Sequence, residues 1–253
     1  MTHAQASGRP RTVYFFGTCI VDLFYPGAGL AGIKLLQSAG VEVVFPDGQS
    51  CCGQPAYNSG YLDQARAVAW AQIKLFAKDY PVVVPSGSCA GMMKTHYPGL
   101  FRGRPEQAEV EDFVARVYEL TQFLVDVLDL ELDDLGPPVK VTWHPSCHSM
   151  REMGVADQPK RLLHQLSKVE LVELPREREC CGFGGTFSVR QPEISAAMVT
   201  DKIGAIAGTG ADLVLSGDCG CLMNIGGAIE KAGGHARPLH IAEFLWERTH
   251  GRR

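Results

Sequence analysis

Val139-Lys140-Val141-Thr142-Trp143-His144-Pro145-Ser146-Cys147 stands thirty-two residues before Cys180-Cys181-Gly182, and the first half of the chain carries the same arrangement. There Val13-Tyr14-Phe15-Phe16-Gly17-Thr18-Cys19 precedes Cys51-Cys52-Gly53 by thirty-one residues. Each copy reads as a short apolar strand ending on a cysteine, a Cys-Cys-Gly turn, a helical stretch and a second strand. The second strands are Val82-Val83-Val84 and Leu213-Val214-Leu215. Ser86-Gly87-Ser88-Cys89 and Ser216-Gly217-Asp218-Cys219 follow them. The ends also echo, in Leu120-Thr121-Gln122-Phe123-Leu124 and Ile241-Ala242-Glu243-Phe244-Leu245. Correspondences in one order at a nearly constant offset identify a duplication, which has to be found before a fold is assigned.

The join falls in Glu131-Leu132-Asp133-Asp134-Leu135-Gly136-Pro137-Pro138, where acidic residues followed by Gly-Pro-Pro cannot continue a helix. This divides the chain into units 1–132 and 133–253. Strands are expected at 12–17, 41–45, 82–85, 139–143, 169–174 and 212–216, and helices at 27–39, 60–79, 107–128, 191–207 and 222–232. Such alternation predicts an α/β protein of two similar Rossmann-like lobes, each a parallel sheet covered by helices. The duplication predicts that pseudo-twofold symmetry relates them. Sites in open α/β sheets gather beyond the carboxyl ends of strands, so both cysteine sets are expected in one cleft between the lobes.

With 45 % hydrophobic and 21 % charged residues, the chain can bury a core without cysteine staples. A net charge of −4 and no basic stripe interleaved with aromatics argue against a nucleic-acid partner. Met1 to Arg11 is polar and shows no signal-peptide pattern, and no apolar run reaches the roughly eighteen residues a membrane helix needs, so no membrane insertion is expected. Gly251-Arg252-Arg253 reads as a solvated end. A cytoplasmic location follows, and in a reducing compartment nine cysteines are better read as ligands or redox groups than as disulfides.

All nine fall inside the repeat: Cys19, Cys51, Cys52 and Cys89 in the first unit, Cys147, Cys180, Cys181, Cys219 and Cys221 in the second. Thiolates favour soft metals and iron–sulfur clusters, and a cubane takes four. Adjacent cysteines bind one metal ion awkwardly, whereas a cluster offers several metal atoms to one short segment. Zinc sites show Cys-x2–4-Cys pairs, which are absent. The glycine after each pair suits a backbone passing close to a bulky group. His144 and His148 flank Cys147; each is read either as a ligand or supporting donor, or as an ordinary loop group. Gly182-x-Gly184-Gly185 lacks the spaced third glycine of a phosphate loop and reads as room for the cofactor. Met92, Met93 and Met223 read as gap-filling core, and the acidic run from Asp126 to Asp134 as a solvated helix end.

These motifs resemble the cysteine-rich CCG domain, found in heterodisulfide reductase, the glycolate oxidase iron–sulfur protein and anaerobic glycerol-3-phosphate dehydrogenase. Gly182-Phe183-Gly184-Gly185-Thr186-Phe187 and Cys221-Leu222-Met223-Asn224-Ile225 are most similar to the lactate-utilisation A family. The resemblance implies an iron–sulfur electron-transfer subunit of a complex oxidising L-lactate, a 2-hydroxy acid, to pyruvate. It implies iron–sulfur clusters, 4Fe-4S in type and one or two per chain, and lactate-utilisation B-type (ferredoxin-like) and C-type subunits as partners. No flavin or nicotinamide fingerprint appears, so the chain is expected to be an oxidoreductase subunit that does not act alone. Competing readings are a thiol or heterodisulfide reductase-like enzyme at an open cluster, and a non-enzymatic redox sensor. The family pattern ends each copy in Cys-x-x-Cys; here Ser86 and Asp218 stand at its first position. Two alignments of the second unit compete, one placing Cys219 opposite Cys89 and one placing Cys221 there. Cys221 is expected to be the principal ligand and Cys219 an additional thiolate or neighbour.

Overall fold

In a computed structural model that describes residues 8–251, the chain forms two four-stranded, wholly parallel sheets. The N-terminal segment read for a signal peptide lies partly, and Arg252-Arg253 wholly, outside the described residues. The first sheet has β1 (Thr12–Phe15), β2 (Glu42–Val44), β3 (Val82–Val84) and β4 (Val117–Glu119), in the order β2-β1-β3-β4. The second has β5 (Val139–Trp143), β6 (Val169–Val172), β7 (Leu213–Ser216) and β8 (Arg237–His240), in the order β6-β5-β7-β8. Helices cover both sheets, and chain order reverses between β1 and β3 and between β5 and β7. This is the crevice position at which open α/β sheets bind ligands. Among the described residues no helix is long and apolar enough to cross a membrane.

Sequence pattern locates six of the eight strands. It carries one helix through 107–128, whereas the helix stops at Ala115 and Val117-Tyr118-Glu119 pairs with β3 before helical structure resumes at Leu120. Three residues with a β-branched start are too few for periodicity to reveal, and pairing with the buried β3 decides the conformation. β8 escapes the pattern because it contains Pro238, which is tolerated on an edge strand. The end echo marks both: each echoed segment begins where the fourth strand stops.

Alternation along the strands divides the core. Val13 and Phe15 of β1 join Val83, Trp143, Leu213, Leu215 and Leu239 in one apolar cluster that runs through both lobes. Tyr14, Phe16, Val82 and Val84 face the other side, into a cluster belonging to the first lobe that also buries Met92 and Met93. Side chains of successive strand residues point to opposite faces, so each sheet contributes one face to a shared core. Helix pairing across the interface is reciprocal. Ile241–His250 of the second lobe packs on Pro26–Ser38 of the first, and Gln158–His164 packs on Leu120–Val127. Gly87–Gly91 meets Cys147–Glu152, and Cys219–Lys231 meets Cys19–Phe24. Each contact has its exchanged counterpart, which is pseudo-twofold symmetry.

Sheet register settles the internal alignment. Phe15 lies opposite Val83, and Trp143 opposite Leu215; Val84 pairs with Glu119, and Ser216 with His240. Val83 therefore corresponds to Leu215, Ser86 to Asp218, and Cys89 to Cys221. The ungapped match of Ser86-Gly87-Ser88-Cys89 to Ser216-Gly217-Asp218-Cys219 is two residues out of register, despite the likeness of its residues.

We propose the division between the units at Leu132 and Asp133, within a connecting stretch whose residues on both sides bond to the second lobe. Leu135 N–H donates to the Arg248 carbonyl at 2.9 Å, and Lys168 N–H to Asp134 Oδ2 at 2.7 Å. The Asp134 and Arg248 side chains pair with 2 % and 6 % exposure. Burial pushes the Asp134 carboxyl up, but the Lys168 and Gly136 amides and the Arg248 guanidinium outweigh it and hold it below the usual range. Asp134→Ala leaves Arg248 buried without its partner and should cost about 3 kcal/mol in urea unfolding at pH 7. Because the folded-state value is depressed, this stabilisation is present above the unfolded carboxyl value of about 3.9 and is lost as pH falls through the folded one. The difference between wild type and Asp134→Ala should therefore shrink below about pH 4.

Candidate metal centre

All nine cysteines line a single interlobe cavity of about 70 Å³. Cys19 and Cys147 open helices directly after β1 and β5, while Cys89 and Cys221 lie in the first turn of helices that follow β3 and β7. Thr18, before Cys19, has φ +53° and accepts from Val21 N–H through Oγ1 at 3.4 Å. That conformation is an outlier for a β-branched residue, placed at the rim of the cavity.

The thiols form two chains of contacts. Cys51 bridges Cys19 and Cys52, and Cys52 touches Cys89; in the second lobe Cys180 bridges Cys147 and Cys181, and Cys181 touches Cys221. Cys219 belongs to neither chain. It is buried against Val21 and Ala28 of the first lobe. Thiol donation from both neighbours lowers the central cysteine of each chain, Cys51 to about 3 and Cys180 to about 2, even against burial. The same contacts, together with burial, push Cys19, Cys52, Cys147 and Cys181 upward. For Cys221, Cys181 donation pulls down, but burial and the Asp218 carboxylate hold the thiol above its ordinary value. Each chain thus favours one thiolate, at its central cysteine, and opposes charge on the neighbours that donate to it.

The backbone around both sets is the same. Gly53 N–H donates to Cys51 Sγ and Gly182 N–H to Cys180 Sγ, each at 3.4 Å. Tyr97 Oη donates to the Cys52 carbonyl and Asn224 Nδ2 to the Cys181 carbonyl, each at 2.8 Å. The glycines have φ +86° and +84°, a region L side chains avoid. A Cβ at Gly182 would lie 2.7 Å from the Ser195 carbonyl oxygen; at Gly53 it would lie 3.2 Å from that of Ala65.

Between the sets lie groups that the sequence pattern does not single out as functional. Asp218 is 3 % exposed. Its Oδ1 accepts from Gly220 N–H at 3.1 Å and Cys221 N–H at 3.4 Å, and its Oδ2 from Ser88 N–H at 3.0 Å and Ser86 Oγ at 3.2 Å. Glu119 and His240, equivalent in the repeat, each cap the helix that follows. Burial and the carboxylate of Asp218 raise Glu119 to about 7, against donation from Thr121 and Gln122. His240 accepts from Ala242 N–H through Nδ1, so Nε2 carries the proton donated to the Pro85 carbonyl at 2.9 Å; burial holds this ring neutral, at about 4. The two histidines flanking Cys147 part ways. His148 Nδ1 lies 2.8 Å from Glu152 Oε1, which also meets His96 of the first lobe at 3.1 Å. His144 is 1 % exposed, and neither of its ring nitrogens has a hydrogen-bond partner. One of them lies with Cys181 Sγ and Cys221 Sγ in a group mutually within 4.8 Å. Burial first, then the Lys202 charge, push His144 down to about 3.

The donor chemistry fits a soft-metal or iron–sulfur group: four converging thiols per lobe, one already held as thiolate, amide donors on the sulfurs, and an orphaned imidazole beside one set. A family model described as a cysteine-rich domain matches residues 13–94 and again 141–226. Lactate utilization protein A of Geobacillus kaustophilus is 50 % identical over 236 residues, 92 % of this chain and 98 % of that protein. Its namesake from Geobacillus thermodenitrificans is 49 % identical over 238 residues, covering 94 % and 99 %. The chain belongs to the lactate utilization protein A family. In overall fold it is similar to a hypothetical protein from Helicobacter pylori of known crystal structure, with TM-score 0.65 and 11 % identity over 97 % of this chain; the match spans half of that protein.

Gly182→Ala should cost about 1–3 kcal/mol of stability, from its left-handed φ and its collision with backbone. Gly53→Ala, strained equally in φ but with more room, should cost less. Urea unfolding of the two variants side by side checks the order.

Proposed function

We propose that the chain is an iron–sulfur electron-transfer subunit of an oxidoreductase that converts L-lactate, a 2-hydroxy acid, to pyruvate. The observation that carries the reading is the convergence of two four-thiol sets on one interlobe cavity. The name borne by the relatives supports lactate as the metabolite. Cys19, Cys51, Cys52 and Cys89 would hold one 4Fe-4S cluster, and Cys147, Cys180, Cys181 and Cys221 a second, giving one or two per chain. Bound there, such a centre supplies one-electron redox chemistry.

The protein's own groups do the rest. Gly53 and Gly182 N–H groups spread the charge of the central thiolates, and Phe16 packs in one apolar cluster with Cys52 and Cys89. The walls fix the spacing of the thiols, burying Cys52, Cys89, Cys181 and Cys221 and leaving Cys19, Cys51, Cys147 and Cys180 partly exposed. Asp218 holds the helix starts that carry Cys89 and Cys221 at constant separation. Oxidation of lactate releases two electrons and two protons, which one-electron centres pass on singly. A lactate-utilisation B-type subunit with ferredoxin-like clusters and a C-type subunit are the proposed partners, and the cytoplasm the proposed location.

Anaerobic reconstitution should give iron and acid-labile sulfide with a broad visible absorption band. Stoichiometric zinc, with no sulfide and no band, would refute the reading. Cys221→Ser should lose about half of the iron of a doubly loaded chain, in keeping with four thiolates per cubane. Cys219→Ser should keep nearly all of it. Lactate-dependent dye reduction should require the added partners.

A further inference from the structure

We propose that the two cysteine sets are electronically unequal, and that His144 and Lys202 make the second lobe's set the electron-accepting one. The inference rests on the reading that both sets hold iron–sulfur centres.

Internal equivalence isolates the difference. Phe16 and His144 occupy the same position: the backbone N–H of Phe16 donates to the Val83 carbonyl, as that of His144 does to Leu215. In the first lobe the position is an apolar ring packed in one cluster with Cys52 and Cys89. In the second it is a buried imidazole whose two nitrogens find no partner, grouped with Cys181 and Cys221. A neutral imidazole carries one N–H. With no carbonyl or carboxylate to receive it, its polar neighbours are the Cys181 and Cys221 sulfurs, which lie with one ring nitrogen in a group mutually within 4.8 Å and outside hydrogen-bond distance.

The second difference comes from the helix packed behind each Cys-Cys-Gly turn. The turn glycines face Ala65 and Val68 in the first lobe and Ser195 and Met198 in the second, which places Gln72 opposite Lys202. Both are 2 % exposed. Gln72 is neutral and is satisfied by Ser50, donating to its Oγ at 2.8 Å and accepting its N–H at 3.0 Å. Lys202 Nζ donates to the Arg176 carbonyl at 3.0 Å and the Glu177 carbonyl at 3.4 Å; burial pushes its ammonium down, against the attraction of Glu179, Cys181 and Cys180.

Reduction adds an electron to the centre, so a nearby cation and a polar N–H group beside its sulfurs favour the reduced state and raise its potential. Burial strengthens both effects. Two carboxylates oppose them. The Asp218 charge bears on Cys147 and Cys221 of the second set, and that of Glu179 bears on Lys202 although it is half exposed and paired with Arg176 at 2.7 Å. On this proposal the buried ammonium and imidazole outweigh both. His144 and Lys202 therefore act as tuning residues.

The test is a potentiometric titration of the anaerobically reconstituted chain, followed by electron paramagnetic resonance. It uses wild type, His144→Phe and Lys202→Gln, each variant taking the residue found at the equivalent position of the first lobe. Iron, sulfide and the thermal unfolding midpoint are measured on each sample. The expected result is two midpoint potentials in wild type. The upper falls in each variant while the lower stays in place, and an imidazole nitrogen coupling in pulsed spectra disappears in His144→Phe. Coincident wild-type potentials, loading of one set only, a fall in the lower potential, or an upper potential unmoved in both variants at full iron content would each overturn the inference while leaving cluster binding intact. A chain that takes up no iron and sulfide overturns the parent reading, and this inference with it.

Discussion

Asp218 receives hydrogen bonds from both halves of the molecule at the point where the carboxyl ends of β3 and β7 come together. A carboxylate in so dry a place is tolerated only if its oxygens are satisfied, and here backbone N–H groups from two helix starts and the Ser86 hydroxyl do so. The arrangement ties the turn carrying Cys221 to the turn carrying Cys89. Every other feature of the cavity follows from that tie. If the helix starts separated, the thiols would face solvent and the amide donors at the Cys-Cys-Gly turns would serve two unrelated clefts.

The shared apolar core enforces the same geometry from below. Phe15, Val83, Trp143 and Leu215 lie in one cluster, so the inner faces of the two sheets have no other partner to bury against. Full burial of each such side chain is worth about 1.5–3 kcal/mol. The lobes are thus two repeats but not two independent folding units, and the exchanged helix pairs above and below the sheets bind them further. The helix-borne cysteines take their positions from this packing, while Cys51, Cys52, Cys180 and Cys181 are held in the Cys-Cys-Gly loops.

Much of this is legible in the residues. Cysteine spacing and the Cys-Cys-Gly turns reveal the duplication, and from it come the α/β class, the symmetry and the common cleft. Three things are hidden for physical reasons. The fourth strand of each sheet is too short, and one contains a proline, so only pairing to a buried neighbour makes it a strand. The alignment of the terminal cysteines is decided by hydrogen-bond register, whereas the likeness of Ser-Gly-Ser-Cys to Ser-Gly-Asp-Cys points two residues away. The buried roles of Lys202, Glu119 and His240 depend on partners far off in sequence, whereas His144 is already legible as a candidate from its place beside Cys147. Once the register is fixed, those residues stand out as the places where two otherwise matching halves differ.

The meeting of Ser86 with Asp218 across the pseudo-twofold has a bearing on how such a molecule could arise. Two separate copies of one unit, joined as an ordinary homodimer, would place the same residue on both sides of the axis. With aspartate there, two carboxylates would face each other in a buried site, and one would have to take up a proton. With serine, the helix start at Cys221 would lose its charged cap. Joining the two copies in one polypeptide removes the obligation to be identical. The pair can then be one acceptor and one donor, an arrangement that no symmetric assembly of a single shorter chain can reach.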